Sequence, residues 1–283
     1  MQLNDILEYL SKDGNIMLNM HDVTGILSSK PFDIERKFRI HTLKFCDIAK
    51  STSAGYMLCT SCKKTVCKMA LRRGKPFFGT CPYGLFELVF PIKIDERIEC
   101  ILFVGNQTDN AKNALQKAKI ACEKTKVNFN EISKEFKNIN TANADFMLET
   151  AELISEFICL LYYKNKQTIN YKGHCHRIVE ELKHRADEHY DCALTLKKMS
   201  ELYFMNEKYL GRLFLKQTGQ TFHSYINMRR LKAAAELLEN TDRSVIDISL
   251  ECGFNSISYF NRIFLKKYGK TPAQYRKYTA KSR

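Results

Sequence analysis

The sequence lacks the patterns that mark an enzyme, a membrane protein or an exported protein. It contains no Ser-His-Asp arrangement, no glycine-rich phosphate loop and no carboxylate pair spaced for acid–base chemistry. Its longest apolar run, Phe157–Tyr163, is far shorter than the roughly 18 to 20 residues that cross a membrane. The N-terminus has neither the basic start nor the apolar core of a signal peptide. We therefore expect a cytoplasmic protein that is not an enzyme and does not contact a membrane.

What the chain does have is length for two domains and an uneven positive charge. Its 283 residues are 45% hydrophobic, which is enough to build proper cores. The formal net charge is +14, and residues 174–283 hold 20 Lys and Arg against 12 Asp and Glu. A dense basic excess suits a polyanion such as double-stranded DNA, although a basic surface that meets only solvent gives the same imbalance.

One stretch near the C-terminus occurs twice, at residues 206–225 and 256–275. The two copies share a Tyr, an Arg, Phe-Leu-Lys, Gly, Thr and Tyr in the same order. Each copy starts with a good N-cap residue, Asn206 or Ser256, and follows a short segment with helical apolar spacing. A short helix, a tight turn and a capped helix with a polar outer face indicate a helix-turn-helix unit. Residues 222–239 predict one long helix that sets the distance between the two units.

The second copy resembles the signature of AraC-family transcription regulators, and the resemblance extends over residues 172–278. It implies an all-α domain, assigned to residues 174–283, with two helix-turn-helix units joined by a long connecting helix. It also implies a sequence-specific regulator, favoured as an activator that meets RNA polymerase. The matching positions are Ile248-Ser249, Gly253-Phe254, Ser258-Tyr259-Phe260, Arg262, Phe264, Gly269, Thr271-Pro272 and Tyr275-Arg276.

The second helix of each unit is expected to enter the major groove with its N-terminal residues toward the base edges. Arg212 and Arg262 suit bidentate contacts with guanine, and Ile257 suits a thymine methyl group. Lysines farther along suit phosphates, and the two helices should reach successive grooves about 34 Å apart. The residues expected to contact DNA are Glu207, Lys208, Gly211, Arg212, Lys216, Ile257, Ser258, Asn261, Arg262 and Lys266.

Residues 1–140 mix predicted helices with predicted strands. Helices are expected over residues 3–9, 38–51, 59–73, 111–124 and 130–137. Strands are expected at 16–18 and 23–27, turning back near Asp22, and at 76–81, 86–94 and 98–105. The last two form a hairpin around Asp95-Glu96-Arg97. This pattern favours an α+β sensor domain of the PAS or GAF kind.

The same region resembles the PocR-type sensory domain, which is found ahead of AraC-type DNA-binding units and is thought to bind small hydrocarbon derivatives such as diols. The matching segments are Phe45-Cys46, Cys59-x-x-Cys62, Cys81-Pro82-Tyr83-Gly84-Leu85, Pro91-Ile92 and Gly105-Asn106-Gln107. Pro82, Tyr83 and Asn106 depart from the usual motif, so the identity of the ligand stays open. The resemblance implies a small organic ligand near Phe45, Cys46, Cys59, Cys62, Cys81 and Tyr83.

Four of the eleven cysteines, Cys59, Cys62, Cys67 and Cys81, allow three interpretations. A CxxC pair with two further thiolates can hold Zn²⁺ or iron, although this spacing is not that of a common zinc finger. Basic neighbours such as Lys63 would favour thiolates, and so a redox-sensing regulator. Burial as small apolar side chains is the third reading. A methyl-accepting repair protein of the Ada type is a remote alternative, because the cluster is placed and spaced differently and no second methyltransferase cysteine motif follows.

Residues 141–173 are assigned to a helix and a linker, with the helix over 142–163 and the linker over 164–173. The apolar residues of the helix alternate in steps of four and three, as in the seam of a two-stranded coiled coil. A homodimer through this helix and a helix packed on its own domain are both compatible with the pattern. The seam residues are Met147, Ala151, Ile154, Ile158 and Leu161.

Overall fold

A five-stranded sheet organises the first of two structural units, which divide between Ile178 and Val179. The computed structural model describes residues 2–12, 16–41, 43–167, 169, 173–203 and 205–281, without the side chains of 173–177, 280 and 281. The strands run in the order β1-β4-β3-β2, all antiparallel, and β5 adds to β4 in parallel. They are β1 Met17–Asp22, β2 Phe77–Thr80, β3 Phe86–Ile94, β4 Arg97–Thr108 and β5 Asn140–Thr141.

The predicted hairpin is confirmed, with β3 and β4 paired across a two-residue turn. Asp95 and Glu96 have φ angles of 47° and 63°. A tight turn with both central residues at positive φ matches the right-handed twist of the flanking strands. The turn therefore sets the register in which the two longest strands pair.

The described residues of the first unit contain six whole α-helices. Four of them begin at side-chain caps; for example, Thr52 accepts a hydrogen bond from the Gly55 amide, and Asn110 accepts one from the Asn113 amide. The helix that Thr52 caps ends at Gly74, whose φ of 59° is the left-handed conformation common after a helix. The helices are α1 Leu3–Ser11, α2 Lys44–Ala49, α3 Ser53–Arg73, α4 Ala111–Thr125, α5 Phe129–Glu135 and α6 Ala144–Asn165.

The two faces of the sheet contact different helices, because alternate residues of a strand point to opposite sides. In β4, Leu102 and Val104 pack toward α1 and α6, whereas Ile101 and Phe103 join a smaller cluster with α3. In β3, Leu88 belongs to the first cluster. The same alternation puts Asn19 of β1 and Glu87 of β3 on the side of α3, and this places polar groups inside that smaller layer.

Two of the secondary-structure elements predicted for the first unit are wrong. The expected strand at 23–27 is a turn, because Asp22 accepts hydrogen bonds from the Gly25 amide and the Ser28 hydroxyl and draws the chain into a 3-10 helix, Ile26–Ser28. The expected helix over 38–51 is a 3-10 turn, Arg36–Phe38, followed by the short α2. The backbone of Leu43 is extended just before α2, which separates the two pieces.

The apolar seam of α6 belongs to the core of its own unit. Met147, Ala151, Ile154 and Ile158 are each 0% exposed and pack in the cluster that includes α1 and the sheet. They are therefore unavailable for a seam with a second chain, so the coiled-coil interpretation of these residues is wrong. A homodimer formed in another way stays a prediction. Of the expected linker, residues 168 and 170–172 lie outside the described residues.

The regular secondary structure in the described residues of the second unit is all helical, as predicted. The caps expected at Asn206 and Ser256 are confirmed, since their side chains accept hydrogen bonds from the amides of Tyr209 and Tyr259. The expected connecting helix is α10. The helices are α7 Gly173–Glu188, α8 Leu196–Leu202, α9 Glu207–Thr218, α10 Phe222–Asn240, α11 Val245–Glu251, α12 Ile257–Tyr268 and α13 Pro272–Lys281.

The fold classes expected from the sequence, a mixed α+β unit followed by an all-α unit, are those observed in the described residues. The PAS or GAF likeness of the first unit stays a prediction. Within the described ranges, every helix is too short or too polar to cross a bilayer.

Candidate nucleic-acid interface and candidate ligand site

The repeated helices α9 and α12 bury one face each and expose the other. Leu210 and Phe214 of α9, and Phe260 and Phe264 of α12, are each 0% exposed. These four anchors occupy matching positions in the two copies, so the helices present the same opposite face to solvent. Both helices end at glycines with positive φ, Gly219 and Gly269, which repeat at the same offset.

Nine of the ten residues expected to contact DNA have exposed side chains on α9 and α12. Gly211 is the exception, because it is half-buried and a Cβ atom there would lie 2.9 Å from Leu196 Cδ2 of α8. Its lack of a side chain allows α8 and α9 to approach closely. The exposed nine are Glu207, Lys208, Arg212, Lys216, Ile257, Ser258, Asn261, Arg262 and Lys266.

A residue of the connecting helix supports the second recognition helix. Asn227 of α10 is buried and its Nδ2 donates a hydrogen bond of 2.9 Å to the hydroxyl of Tyr259 on α12. The guanidinium of Arg262 lies over the ring of the same tyrosine, 5.3 Å from the ring centroid. The side chain proposed to read a base therefore rests on a ring that is tied to α10.

Arg230, one turn farther along α10, fixes the chain that precedes α8. Its Nε donates to the Tyr190 carbonyl at 2.7 Å and its Nη2 to the Cys192 carbonyl at 2.9 Å. Between these two residues, the Asp191 carbonyl oxygen lies 2.6 Å from where a Cβ of Gly253 would be. Gly253 also has a φ of 81°, so the turn between α11 and α12 has both a conformational and a steric need for glycine.

Three residues that the resemblance placed near a ligand are core residues of the first unit. Phe45, Cys46 and Tyr83 are at most 7% exposed and belong to one apolar cluster. The Tyr83 hydroxyl donates to the Ala49 carbonyl at 3.1 Å and lies 2.9 Å from Thr125 Oγ1. These bonds tie the ends of α2 and α4 to the loop after β2.

The thiols of Cys62, Cys67 and Cys81 are held in their protonated form. Burial raises the pKa of Cys62 to about 12 and that of Cys67 to about 11. Burial and the neighbouring carboxylate of Glu87 raise the pKa of Cys81 well above its usual value. The expectation that basic neighbours favour thiolates is therefore wrong, because Lys63 lowers the pKa of Cys67 by less than burial raises it. A protonated thiol is a poor nucleophile and a poor metal ligand.

The four cysteines do not come together as a metal centre. Cys67 is fully buried against Val89 and Phe103, whereas Cys81 packs beside the cluster of Phe45 and Tyr83. Across the part of the chain that the structure describes, no three His, Cys, Asp or Glu side chains are arranged to hold a metal ion.

A polar cluster, formed by Asn19, His41, Lys63 and Glu87, lies between the sheet and α3. Asn19 is buried, and the other three residues are half-buried. Lys63 Nζ donates to Asn19 Oδ1 at 2.6 Å and lies over the ring of Phe103. Glu87 is at an irregularity in the β3–β4 register, and a Cβ at Gly105 of β4 would lie 2.9 Å from its Cγ. Both the irregularity and the glycine make room for the carboxylate, and β-bulges are frequent next to functional sites.

Two buried atoms of the polar cluster, Asn19 Nδ2 and His41 Nε2, lack hydrogen-bond partners among the described residues. The Oε1 atom of Glu87 lies 3.9 Å from His41 Nε2. Burial raises the pKa of Glu87 to about 7, against the opposing effect of Lys63. Burial, Lys63 and Lys50 lower the pKa of His41 well below its usual value, so its ring is neutral at pH 7. Buried polar atoms without partners are costly, and a bound molecule can satisfy them.

Sequence reasoning missed the polar cluster because its members come from four separate segments. Only the paired register of β1, β3 and β4 brings Asn19 and Glu87 to one face. The signal that pointed nearest to it was the CxxC segment, since Lys63 directly follows Cys62 on the same helix. The Asn227–Tyr259 bond carried no sequence signal at all.

Comparison with known proteins gives matches to two parts of the chain. A family model described as a sensory domain found in PocR matches residues 3–166, and one described as a helix-turn-helix domain matches residues 199–278. The regulatory protein SoxS of Escherichia coli (strain K12) is 35% identical over 100 residues, which are 35% of this chain and 94% of SoxS.

Two further proteins are each similar over about a third of the chain. The melibiose operon regulatory protein of Escherichia coli (strain K12) is 38% identical over 96 residues, 34% of this chain and 32% of that protein. The crystal structure of the DNA-binding domain of AdpA in complex with a target DNA is 27% identical, covering 37% of this chain and 95% of that one, with a TM-score of 0.36.

Proposed function

We propose a function from one premise: this chain belongs to the AraC-family transcription regulators that carry a PocR sensory domain. It is a DNA-binding transcription regulator. In our proposal it activates transcription at a specific site, and a small organic ligand bound in the sensory domain controls it. Residues 1–140 act as the sensor, 141–173 as helix and linker, and 174–283 as the DNA-binding part.

The observation that carries the DNA-binding proposal is the duplicated exposed face of α9 and α12. Matching anchors are buried at Leu210 and Phe260, and matching arginines, Arg212 and Arg262, stand in solvent. The two arginines are proposed to contact guanine O6 and N7, and the lysines Lys216 and Lys266 to contact phosphates. Phosphate contacts position the protein, and base contacts select the sequence.

Selection from a randomised duplex library with the full chain tests this proposal. We expect enrichment of a site with two short elements about 10 base pairs apart, because two recognition helices reach successive major grooves. Hydroxyl-radical footprinting should protect both elements on one side of the duplex. Binding that enriches no sequence over random duplex would contradict a sequence-reading role.

The polar cluster supports the proposal that the sensory domain binds a small ligand. Asn19 Nδ2 and His41 Nε2 are buried and lack hydrogen-bond partners among the described residues, and the Glu87 carboxylate lies 3.9 Å from His41 Nε2. The three residues come from three separate segments. Small-molecule sites combine apolar walls with a few convergent polar groups of this kind. Cys59, Cys62 and Cys81, which are only partly buried, are proposed to line the way to them. A diol or a related small hydrocarbon derivative is the ligand class that the PocR resemblance favours.

A thermal-shift screen of the full chain against small diols, alcohols, aldehydes and amines tests the ligand proposal. A ligand at about 100 times its Kd stabilises the folded state by about 2.7 kcal/mol, which a melting curve resolves. The variants Asn19→Ala and Glu87→Gln should lose the shift. Glu123→Gln, an exposed glutamate on α4, is the matched control and should keep it. Retention of the full shift in both cluster variants would place the ligand elsewhere.

The activating role requires that the ligand change the population of a DNA-competent state. A ligand shifts such an equilibrium only if it binds one state more tightly than the other. We expect a reporter gene placed behind the selected site to be switched on when the ligand found by the screen is added. Reduced expression on addition would make the protein a repressor.

A further inference from the structure

We infer that Tyr259 is a positioning residue for sequence recognition, which holds the guanidinium of Arg262 in the orientation that meets a base, and that Asn227 holds Tyr259 in place from the connecting helix. The inference rests on the proposed role of Arg262 in reading a base. It adds two residues to the recognition machinery, neither of which needs to touch DNA.

The conformational freedom of the Arg262 side chain is limited by Tyr259. Arg262 is exposed on α12, and an exposed arginine samples many rotamers that binding must remove. Its Cζ lies 5.3 Å from the centroid of the Tyr259 ring, within the range of a cation–π contact. A guanidinium that rests on a ring is planar, charged and already oriented, so less of its entropy is lost when it pairs with guanine.

The Tyr259 ring is itself held from two sides. Asn227 Nδ2 donates to the Tyr259 hydroxyl at 2.9 Å, and this amide nitrogen also lies 3.3 Å from His223 Nδ1. The ring contacts Phe254, at the turn before α12, with centroids 6.5 Å apart, and His223 at 6.3 Å. Asn227 is buried in α10, a helix of 19 residues, so the hydroxyl is bonded to a rigid element.

The positioning role of Tyr259 is distinct from a role in core packing. Tyr259 is half-buried, whereas Phe260 and Phe264, which anchor α12 in the core, are fully buried. Removing the hydroxyl leaves the apolar ring and its area in place. What it removes is the bond that sets the angle of the ring under Arg262. The inference therefore predicts a loss that depends on the arginine.

A double-mutant cycle in the full chain tests the inference, with the duplex that the wild-type chain selects from a randomised library as the probe. Tyr259→Phe should weaken binding to this duplex about threefold to tenfold, the worth of one hydrogen bond. Binding to random duplex should stay unchanged. In the Arg262→Ala background, Tyr259→Phe should change affinity by less than about twofold, since coupled residues are not additive. Tyr268→Phe, which removes a hydroxyl from the same helix beyond reach of Arg262, is the matched control and should bind as the wild type does.

Each result of the double-mutant cycle supports or overturns the positioning role of Tyr259. An equal loss in the wild-type and Arg262→Ala backgrounds, or an equal loss on selected and random duplex, would overturn the positioning role and assign Tyr259 to general stability. If Tyr259→Phe lowers the melting temperature of the chain, Asn227→Ala removes the same bond from the other end and should show the same dependence on Arg262. Failure of the wild-type chain to select any duplex refutes the proposed base-reading function itself, a result distinct from an additive cycle.

Discussion

Replacing Glu87 with Gln should stabilise the sensory unit at alkaline pH. The Glu87 side chain is only 15% exposed and packs beside Gly105, so ionising its carboxylate inside the protein is unfavourable. Burial accordingly raises the pKa of Glu87 from 4.5 to about 7. Glutamine has nearly the same shape and no charge to bury, so the substitution removes this cost and leaves the packing in place.

The size and sign follow from proton binding by the folded and unfolded chains. The folded state holds the proton more tightly, so the protonated carboxyl is fully tolerated below pH 4.5, and stability falls as the pH rises through about 7. Since each tenfold change in acidity is worth about 1.4 kcal/mol, the ionised form costs about 3 kcal/mol at pH 8. Glu87→Gln should therefore exceed the wild type by about 3 kcal/mol at pH 8 and by less than about 1 kcal/mol at pH 5.

Amide hydrogen exchange followed by mass spectrometry measures the stability of each structural unit separately, once the rates are corrected for intrinsic exchange. Peptides from β4 report the stability of the sensory unit, and peptides from α10 in the second unit serve as an internal control that the substitution should not affect. Glu123→Gln, on the surface of α4, is the matched variant and should show no pH-dependent difference. A stability difference that is constant from pH 5 to 8, or a less stable variant at pH 8, would refute the reasoning.

Three further predictions test other parts of the molecule. Arg262→Ala should weaken binding to the selected duplex by about 1–3 kcal/mol and leave random duplex unaffected, whereas Lys266→Ala should weaken both alike in a gel-shift titration. Gly253→Ala should melt well below Gly219→Ala in calorimetry: both have positive φ, which costs about 1–2 kcal/mol, but only the first meets a backbone oxygen, that of Asp191. The affinity for DNA should be the same with and without reductant, because burial keeps the thiols of Cys62 and Cys81 protonated; a reductant-dependent affinity would restore the redox interpretation.

Local features could be predicted from the sequence because they depend on neighbours along the chain. The caps at Asn206 and Ser256 satisfy amides three residues ahead, and the hairpin turn at Asp95-Glu96 joins two alternating apolar runs. The repeat of residues 206–225 and 256–275 then determined the pair of recognition helices and which of their faces is exposed. The cap and hairpin signals lie within about one helical turn or one strand of the residue concerned.

The tertiary structure alone decided which face of α6 is buried and what surrounds each ionisable group. A spacing of four and three fits a seam with a second chain as well as packing on the chain's own sheet, and only the packed position of Met147 and Ile158 distinguishes them. The pKa of Glu87 depends on groups that lie far from it in sequence, as does the bond from Asn227 to Tyr259. Burial and hydrogen bonding are properties of the space around a side chain, and residues distant in sequence fill that space.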